Sequence, residues 1–387
     1  MGIISTCKLL LVSVGFTAAF MPVIMTTGTG TFLQSSKDTN TNTVEESRVS
    51  ASSSLNHVDG IEALSSSYST FLLDMWGVMH NGSVPYEGVV DTIQTLKDAN
   101  KRLIILSNSS KRVGNAKKML NKLGFNEEDF EQIITSGEIS YRMLCGDDTL
   151  ECSTWSVLQD LIVQKKKKVF VLGSGDGDED YCKSSGWTLS SIEDADLIIA
   201  RGTFTINNGG GSDNVVNKKD DGEEEYFRVL NESLEIAARK NVPMLVTNPD
   251  KVRPDEGLPP MPGAIGDSYE KILYLGGSSQ TQAQSLVKRI GKPYPEVYEL
   301  ALSNCDDPGT AVMVGDALET DVTGGAKAKC ATAWVVNDGI HSASVDELGE
   351  GNYEKGAETV LVNFNEQKEY VGDDVLRPSY VAKHFRW

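Results

Sequence analysis

The chain has few cysteines, and none of them form a closely spaced pair. There are six in 387 residues, and no two follow the Cys-x-x-Cys spacing; they are Cys7, Cys145, Cys152, Cys182, Cys305 and Cys330. A disulfide framework and a cysteine-ligated zinc site both need closer or more regular spacing than this. The cysteines are therefore expected to be reduced thiols.

Basic residues are also scarce. The 36 Lys and Arg residues are outnumbered by 55 Asp and Glu residues, which gives a formal net charge of −19. Such a surface repels phosphate backbones, so we expect no nucleic-acid partner. The hydrophobic fraction of 40% and the charged fraction of 24% are typical of a globular protein, and the length predicts one large domain or two ordinary ones.

A long uninterrupted hydrophobic run is missing as well. The most apolar segment, 9–25, is broken by small and polar residues and is short for a membrane span, so no stable span is expected in the mature protein. It fits a signal-peptide core, with Ala18 and Ala19 near a cleavage point, and TAAFMP (17–22) resembles the Ala–Phe junction of bipartite plastid leaders. A secretory route, a plastid route and a cytoplasmic protein with an untargeted tail or misplaced start codon stay open. Residues 1–66 are assigned to a leader and a disordered linker.

After residue 66, short apolar runs alternate with segments of helical periodicity. Helical spacing is clear for Val89, Ile93 and Leu96. This alternation predicts an α/β fold with a doubly wound parallel sheet covered on both faces. The predicted strands lie in 71–76, 102–108, 168–175, 196–202, 243–248, 311–316 and 332–338.

Polar residues end four of these runs. They are Asp74, Ser107 with Asn108, Asn248 with Asp250, and Asp316. Each one alone is a common turn residue. Parallel strands present their carboxyl ends at one edge of the sheet, where ligands bind, so four polar ends together predict a functional site.

The segment at about 207–225 is acidic and low in complexity. It has three consecutive glycines and two clusters of Asp and Glu. This composition predicts a disordered surface loop.

Four ordered segments resemble the haloacid dehalogenase superfamily, in its class IIA branch related to nitrophenyl- and pyridoxal-phosphatases. They are LLDMWGV with Asp74, IILSNSS with Ser107, GKPYPEVYELAL with Lys292, and VGDALETDVTGGAKA with Asp316 and Asp321. The resemblance extends over about residues 68–340. It implies a Rossmann-like core made of 67–136 and 263–387, with an inserted α/β cap domain at 137–262. It also suggests a small phosphorylated metabolite as substrate and a homodimer formed through the cap.

The resemblance assigns roles to the strand-end residues. Asp74 becomes the nucleophile of an aspartyl-phosphate mechanism, and Asp74, Asp316 and the backbone carbonyl of Trp76 become ligands of Mg²⁺, with Asp321 beside them. Oxygen ligands of this kind suit Mg²⁺. Charge stabilisation of the phosphoryl group falls to Lys292 and Ser107. The remaining phosphate- or substrate-binding residues implied are Gly77, Asn108 and Asn248.

One residue departs from the family pattern. Phosphatases of the superfamily carry a second aspartate two residues after the nucleophile, where it gives and takes a proton, and here that position is Trp76. Three interpretations follow, in this order: a slow Mg²⁺-dependent phosphatase, a catalytically reduced protein that binds a phosphorylated ligand, and a dehalogenase-type hydrolase. His80 is a speculative substitute proton donor, although a lone histidine in a turn is more often structural.

Overall fold

The computed structural model describes residues 55–150, 155–175, 177–253, 259–367 and 375–387. The predicted leader lies outside these residues. Two seven-stranded sheets form within them. The strands are β1 His57–Val58, β2 Thr70–Leu73, β3 Arg102–Ser107, β4 Gln132–Thr135, β5 Lys168–Gly173, β6 Thr188–Leu189, β7 Leu197–Ala200, β8 Thr205–Asn207, β9 Val215–Asn217, β10 Met244–Val246, β11 Val287–Arg289, β12 Ala311–Gly315, β13 Ala331–Val335 and β14 Tyr380–Ala382.

Thirteen helices accompany these strands in the described part of the chain. They are α1 Glu62–Ser65, α2 Val89–Asp98, α3 Val113–Lys122, α4 Ser136–Cys145, α5 Ser156–Val163, α6 Asp178–Ser184, α7 Glu223–Lys240, α8 Pro262–Leu275, α9 Gln280–Leu286, α10 Pro295–Ala301, α11 Thr323–Lys327, α12 Ser342–Gly349 and α13 Tyr353–Glu366. None of the described helices is long and apolar enough to cross a membrane.

The first sheet is entirely parallel, in the order β1-β14-β13-β12-β2-β3-β4. Its central strands are buried on both faces: in β2, Phe71 and Leu73 pack into one hydrophobic cluster and Leu72 into another. Burial on both faces explains why the strands are continuous apolar runs and not alternating ones. The predicted α/β architecture with a parallel Rossmann-like sheet is confirmed.

The second sheet follows the order β11-β10-β7-β5-β8-β9, with β6 paired to β5. Alternate residues of β5 face opposite sides, so that Phe170 packs with α7 and α8 while Val169 joins the cluster that contains Leu72 of the first sheet. The two sheets therefore share one hydrophobic cluster, which fixes the second sheet on the first.

The second sheet ends later in the chain than predicted. The expected boundary was residue 262, but β11 pairs with β10 and the chain returns to the first sheet only at α10. Pro262 begins helix α8, a position where the missing N–H of proline costs no hydrogen bond. Helix α8 therefore packs with the second sheet, and the chain has not yet returned to the first sheet at residue 262.

Two segments predicted to be disordered are ordered in part. The expected linker up to residue 66 contains β1, which pairs with β14, and α1, whose Leu64 is fully buried. The expected loop at 207–225 contains β9, which forms an antiparallel hairpin with β8. Both predictions were wrong because elements of two to four residues are too short to produce a periodic pattern, and Val215 and Val216 favour a strand within an otherwise polar segment.

The burial of the C-terminal strand β14 provides a test of its placement in the first sheet. Val381 on β14 is fully buried between β1 and β13, whereas Val375 is 79% exposed. Val381→Asp should cost about 3 to 5 kcal/mol of unfolding free energy, because an unpaired charge would be buried. Val375→Asp, a matched control, should leave the melting temperature nearly unchanged. Equal melting temperatures for the two variants would contradict this placement of β14.

Candidate functional site

The site lies at the carboxyl ends of three adjacent parallel strands. Strand β2 pairs with β12 on one side and with β3 on the other. Asp74 follows β2, Asp316 follows β12, and Ser107 ends β3. The structure thus brings these predicted residues to one edge of the first sheet, as the polar strand ends indicated.

Three carboxylates meet at this edge. Oxygen atoms of Asp74, Asp316 and Asp321 all lie within 4.8 Å of one another, and all three residues are buried. Asp321 arrives there through the π-helical turn Leu318–Val322, and its Oδ2 accepts a hydrogen bond of 3.1 Å from the backbone N–H of Ala317. Wide helical turns of this kind are rare and often occur at functional sites. The cluster is a candidate site for a divalent cation.

Gly77 makes space for this cluster. A Cβ atom at Gly77 would lie 2.3 Å from Oδ2 of Asp316, and the residue has a φ of +92°. Its N–H donates to the carbonyl oxygen of His80 at 3.1 Å. The turn that follows Asp74 thus uses this donor internally, and a role of Gly77 in phosphate binding stays a prediction.

Lys292 is the cation that faces the carboxylates. Its Nζ contacts Oδ1 of Asp74 and lies 2.8 Å from Oδ1 of Asp321. Asn108 holds the lysine backbone on both sides, since its Oδ1 accepts from Lys292 N at 2.7 Å and its Nδ2 donates to Lys292 O at 3.0 Å. Gly291, with a φ of +132°, allows this approach, because a Cβ there would lie 2.5 Å from Oδ1 of Asn108.

Lys292 lies just before helix α10, which starts at Pro295. The backbone of Lys292 is fixed by the side chain of Asn108 instead of by the helix. Asn108 therefore positions the lysine, in addition to any contact with a ligand.

The metal-free cluster holds more negative charge than Lys292 can balance. Burial raises the pKa of Asp74 to about 7; Lys292 opposes this rise and Asp321 adds to it. Burial, together with Asp74 and Asp321, raises the pKa of Asp316 well above its usual range. Burial disfavours the charged form of Lys292, but Asp321 and Asp74 outweigh it and raise the pKa of the lysine. A site with these properties favours binding of an additional cation.

Asn248 and Asp250 follow β10 and reach the same cavity from the second sheet. The Oδ1 of Asn248 accepts a 2.9 Å hydrogen bond from the N–H of Asp250, so Asn248 shapes this loop. The carboxylate of Asp250 accepts a 2.7 Å hydrogen bond from Nδ2 of Asn108. Asp250 was noted as a strand end but not predicted as a site residue, although its place in VTNPD (246–250) was a usable signal.

Ser107 lies beside Asp74 at the cavity wall. Its Oγ accepts a hydrogen bond of 3.3 Å from the N–H of Ser109. The hydroxyl hydrogen is not used in that bond and is available to a ligand oxygen. This geometry is compatible with the predicted contact to a phosphate.

His80 is not placed for proton transfer. It is buried, its Nδ1 accepts a hydrogen bond of 2.9 Å from Gly82 N, and it does not belong to the described lining of the cavity. Burial lowers its pKa to about 4, so the imidazole is neutral at neutral pH. These features argue against the predicted donor role.

Trp76 extends into the cavity. Its side chain is 37% exposed and its ring centroid lies 6.5 Å from that of His80. The indole thus forms part of the cavity wall beside the carboxylates and contributes no group that titrates near neutral pH. Its backbone carbonyl stays a predicted metal ligand.

A cavity of about 710 Å³ opens above the carboxylates. The first sheet supplies its floor, and the second sheet, where the cap domain was predicted, supplies a roof whose lining residues the sequence did not identify. The residues that line the cavity from the roof include Arg201, Thr203, Phe204, Asp250, Arg253 and Arg289.

The roof is tied to the floor by polar contacts. The buried Arg201 forms an ion pair with Asp178 and donates to the carbonyl oxygen of Ser110 at 3.2 Å. Nearby, Nζ of Lys111 donates to Oγ of Ser174 at 2.8 Å. These bonds connect loops of the two sheets and enclose the site.

The raised pKa of Asp74 predicts a pH dependence of stability. Because the folded carboxyl titrates at about 7 and not at 3.8, the metal-free protein loses stability as the pH rises through this range. Asp74→Asn removes this loss, while Lys292 keeps its ion pair with Asp321. In EDTA, the variant's gain in melting temperature over the wild type should be larger at pH 8 than at pH 5.

The surface variant Asp129→Asn is the control, since Asp129 lies 4.0 Å from the exposed Lys97 and far from the cluster in the fold. Its melting temperature should differ from the wild type by the same small amount at both pH values. A gain for Asp74→Asn that shrinks as the pH rises would refute the assignment of the raised pKa to this carboxyl.

Comparison with known proteins agrees with this site. The family model described as haloacid dehalogenase-like hydrolase matches residues 71–188, and a second model for the same kind of hydrolase matches residues 289–354. The 4-nitrophenylphosphatase of Schizosaccharomyces pombe is 28% identical over 258 residues, which cover 66% of this chain and 78% of that protein. Phosphoglycolate phosphatase 2 of Arabidopsis thaliana is 25% identical, covering 75% of this chain and 89% of that one.

The fold is similar to that of a solved haloacid dehalogenase-like hydrolase from Brucella suis. The TM-score is 0.56 at 19% identity, and the match covers 85% of this chain and 99% of the other. The two family models span the segments that carry Asp74, Ser107, Lys292 and Asp316. These matches confirm the predicted resemblance to the class IIA branch of the haloacid dehalogenase superfamily, and they support a hydrolase that acts on phosphate esters.

Proposed function

We propose that the protein is a Mg²⁺-dependent phosphatase that hydrolyses a small phosphorylated metabolite through an aspartyl-phosphate at Asp74. The observation that carries this proposal is the buried cluster of Asp74, Asp316 and Asp321 opposite Lys292 at the base of a cavity. Hydrolase relatives that are named as phosphatases support it.

The residues of the cluster fit a magnesium ion. Mg²⁺ prefers oxygen ligands and is bound in proteins through one or two carboxylates. Asp74 and Asp316 would hold it, since Asp321 is engaged by Lys292 and by the N–H of Ala317. When bound, the ion neutralises charge on the phosphoryl oxygens and on the carboxylates.

The chain's own residues account for the two displacement steps. In the first, a carboxylate oxygen of Asp74 forms a bond to phosphorus as the bond to the leaving oxygen breaks, which divides one difficult displacement into two easier ones. Lys292 orients the carboxylate and stabilises charge on the phosphoryl oxygens, and Ser107 offers a hydroxyl donor. In the second step, water attacks phosphorus and the Asp74 carboxylate is released.

The roof supports selection of a small substrate. A cavity of about 710 Å³ has the size of a small-molecule site. The guanidinium group of Arg253 in the roof favours a substrate with a second acidic or polar group. The relatives' names make 4-nitrophenyl phosphate and 2-phosphoglycolate reasonable first probes.

Trp76 favours a second candidate function. Without a carboxyl at this position, the protein would retain the means to hold a phosphorylated ligand while turning it over slowly or not at all. The dehalogenase-type alternative receives no such support, because a cluster of three carboxylates serves to hold a cation against a phosphoryl group.

Mg²⁺ binding tests the metal site. Asp316→Ala should abolish binding in calorimetry, because a metal held by one or two carboxylates does not tolerate the loss of one. The control variant Asp129→Ala, whose carboxylate pairs with Lys97 outside the cavity, should bind Mg²⁺ like the wild type. Unchanged affinity in the Asp316 variant would exclude Asp316 as a ligand.

Turnover tests the activity. The wild type should hydrolyse members of a phosphate monoester panel with Mg²⁺ and lose this activity in EDTA, and Asp74→Asn should be inactive while still binding product phosphate. Tight binding of a phosphate ester without hydrolysis, under all conditions of the panel, would instead support the ligand-binding function.

A further inference from the structure

Because residue 76 is a tryptophan, it supplies no carboxyl group on the floor of the cavity that could protonate the leaving oxygen of the ester. The side chains of Ser107 and Lys292 surround Asp74 there, but the lysine is engaged by two carboxylates. General acid help is typically worth roughly 10² to 10⁴ in rate when the leaving group is poor. A phosphatase of alkyl esters with this floor therefore needs a donor from elsewhere.

Asp250 is a roof residue whose carboxylate bonds to Asn108 of the floor. It lines the cavity, and its Oδ1 accepts a 2.7 Å hydrogen bond from Nδ2 of Asn108. Asn108 is itself bonded to both backbone polar groups of Lys292. A continuous chain of hydrogen bonds thus fixes Asp250 relative to Lys292, which contacts the proposed nucleophile.

The other carboxyl groups of the described cavity wall are committed to cations. Asp267 pairs with Lys251 and Arg289, and Glu270 pairs with Arg289. Glu319 is buried beside His341, and its pKa is lowered because the hydrogen bond and charge of the histidine outweigh burial. Apart from the candidate metal cluster, Asp250 is the wall carboxyl whose side-chain partner is a neutral amide.

Asp250 is also electrostatically suited to carry a proton. Burial raises its pKa to about 6, although Asn108 and Lys292 oppose the rise. A general acid works best when its pKa lies near the working pH, because both protonation states are then populated. Its charge contributes to the raised pKa of Asp74, which places the two carboxyls within electrostatic reach.

We propose that Asp250 is the acid–base residue of this enzyme. From the roof of the cavity, it takes the role of the family's second aspartate, whose position on the floor is occupied by Trp76. This inference rests on the proposed phosphatase function. In the first step the Asp74–phosphorus bond forms, the phosphorus–oxygen bond of the ester breaks, and the proton of Asp250 passes to the leaving oxygen, which departs as an alcohol. In the second step Asp250 takes a proton from water as the water oxygen bonds to phosphorus and the Asp74–phosphorus bond breaks, which restores both carboxyls.

Asp250→Asn separates this role from a structural one. The amide oxygen of asparagine still accepts the hydrogen bond from Asn108, so the position of Lys292 is preserved while proton transfer is lost. Single-turnover release of the leaving group should fall on the order of 10²-fold or more for an alkyl ester, with 2-phosphoglycolate as the probe. For 4-nitrophenyl phosphate, whose leaving group departs as a stable anion, release should stay within about tenfold of the wild type. Phosphate should then accumulate on Asp74, since the second step lacks its base.

Asp267→Asn is the matched control, because it also neutralises a carboxyl of the cavity wall. Its ratio of rates on the two esters should equal that of the wild type. A rescue variant adds a second measurement: Trp76→Asp in the Asp250→Asn background should restore release from the alkyl ester, because it returns a carboxyl to the floor. Melting curves of all variants identify any that are unfolded, and Asp250→Ser replaces Asp250→Asn if the latter is unstable.

Different results would overturn the role of Asp250 and the proposed phosphatase function. A wild type that hydrolyses both esters, with an Asp250→Asn variant that keeps the same ratio of rates, overturns the role of Asp250 and leaves the phosphatase intact. A wild type that hydrolyses neither ester overturns the proposed function and the role of Asp250 with it. A loss that is equal on both esters, without accumulated phosphate on Asp74, assigns Asp250 to the positioning of Asn108 and also contradicts the proposal.

Discussion

The contact of Lys292 with Asp74 and Asp321 is the interaction on which the site depends. Three buried carboxylates within 4.8 Å repel one another, and a single buried ammonium group compensates only part of that charge. Burying ionised groups is costly unless they are paired, so the lysine backbone has to be held firmly. Asn108 does this with both ends of its amide. The remaining negative charge makes the pocket a candidate site for a cation, which in the proposed mechanism would hold a phosphoryl group.

The fold brings these groups together by simple means. Parallel strands β12, β2 and β3 end at one edge, and the second sheet supplies a roof through a shared hydrophobic cluster and the hydrogen bond from Arg201 to the carbonyl oxygen of Ser110. The same roof loop carries Asp250 to the amide of Asn108. Asn108 therefore connects Lys292, which contacts the proposed nucleophile on the floor, with Asp250, the carboxyl that we assign to proton transfer.

Much of this could be predicted from the sequence, and the reasons for the misses are physical. The seven apolar runs became β2, β3, β5, β7, β10, β12 and β13, because strands buried on both faces consist mostly of apolar residues. Strands of two or three residues such as β1, β9 and β14 have no such signature. The role expected for His80 depended on the hydrogen bonds and burial of its imidazole in the turn after Asp74, which only the folded turn reveals. The strand-end position of Asp250 was visible in the sequence, but its hydrogen bond with Asn108 depends on how the two sheets pack together.

The central claim is that Asp74 attacks phosphorus. The most direct measurement is mass spectrometry of the acid-quenched protein, mixed for milliseconds with 4-nitrophenyl phosphate and Mg²⁺, followed by peptide mapping. The account predicts one added phosphoryl group on the peptide that contains Asp74, and none in the Asp74→Asn variant. Release of nitrophenolate from the wild type, with Asp74 unmodified at every time point, would contradict it.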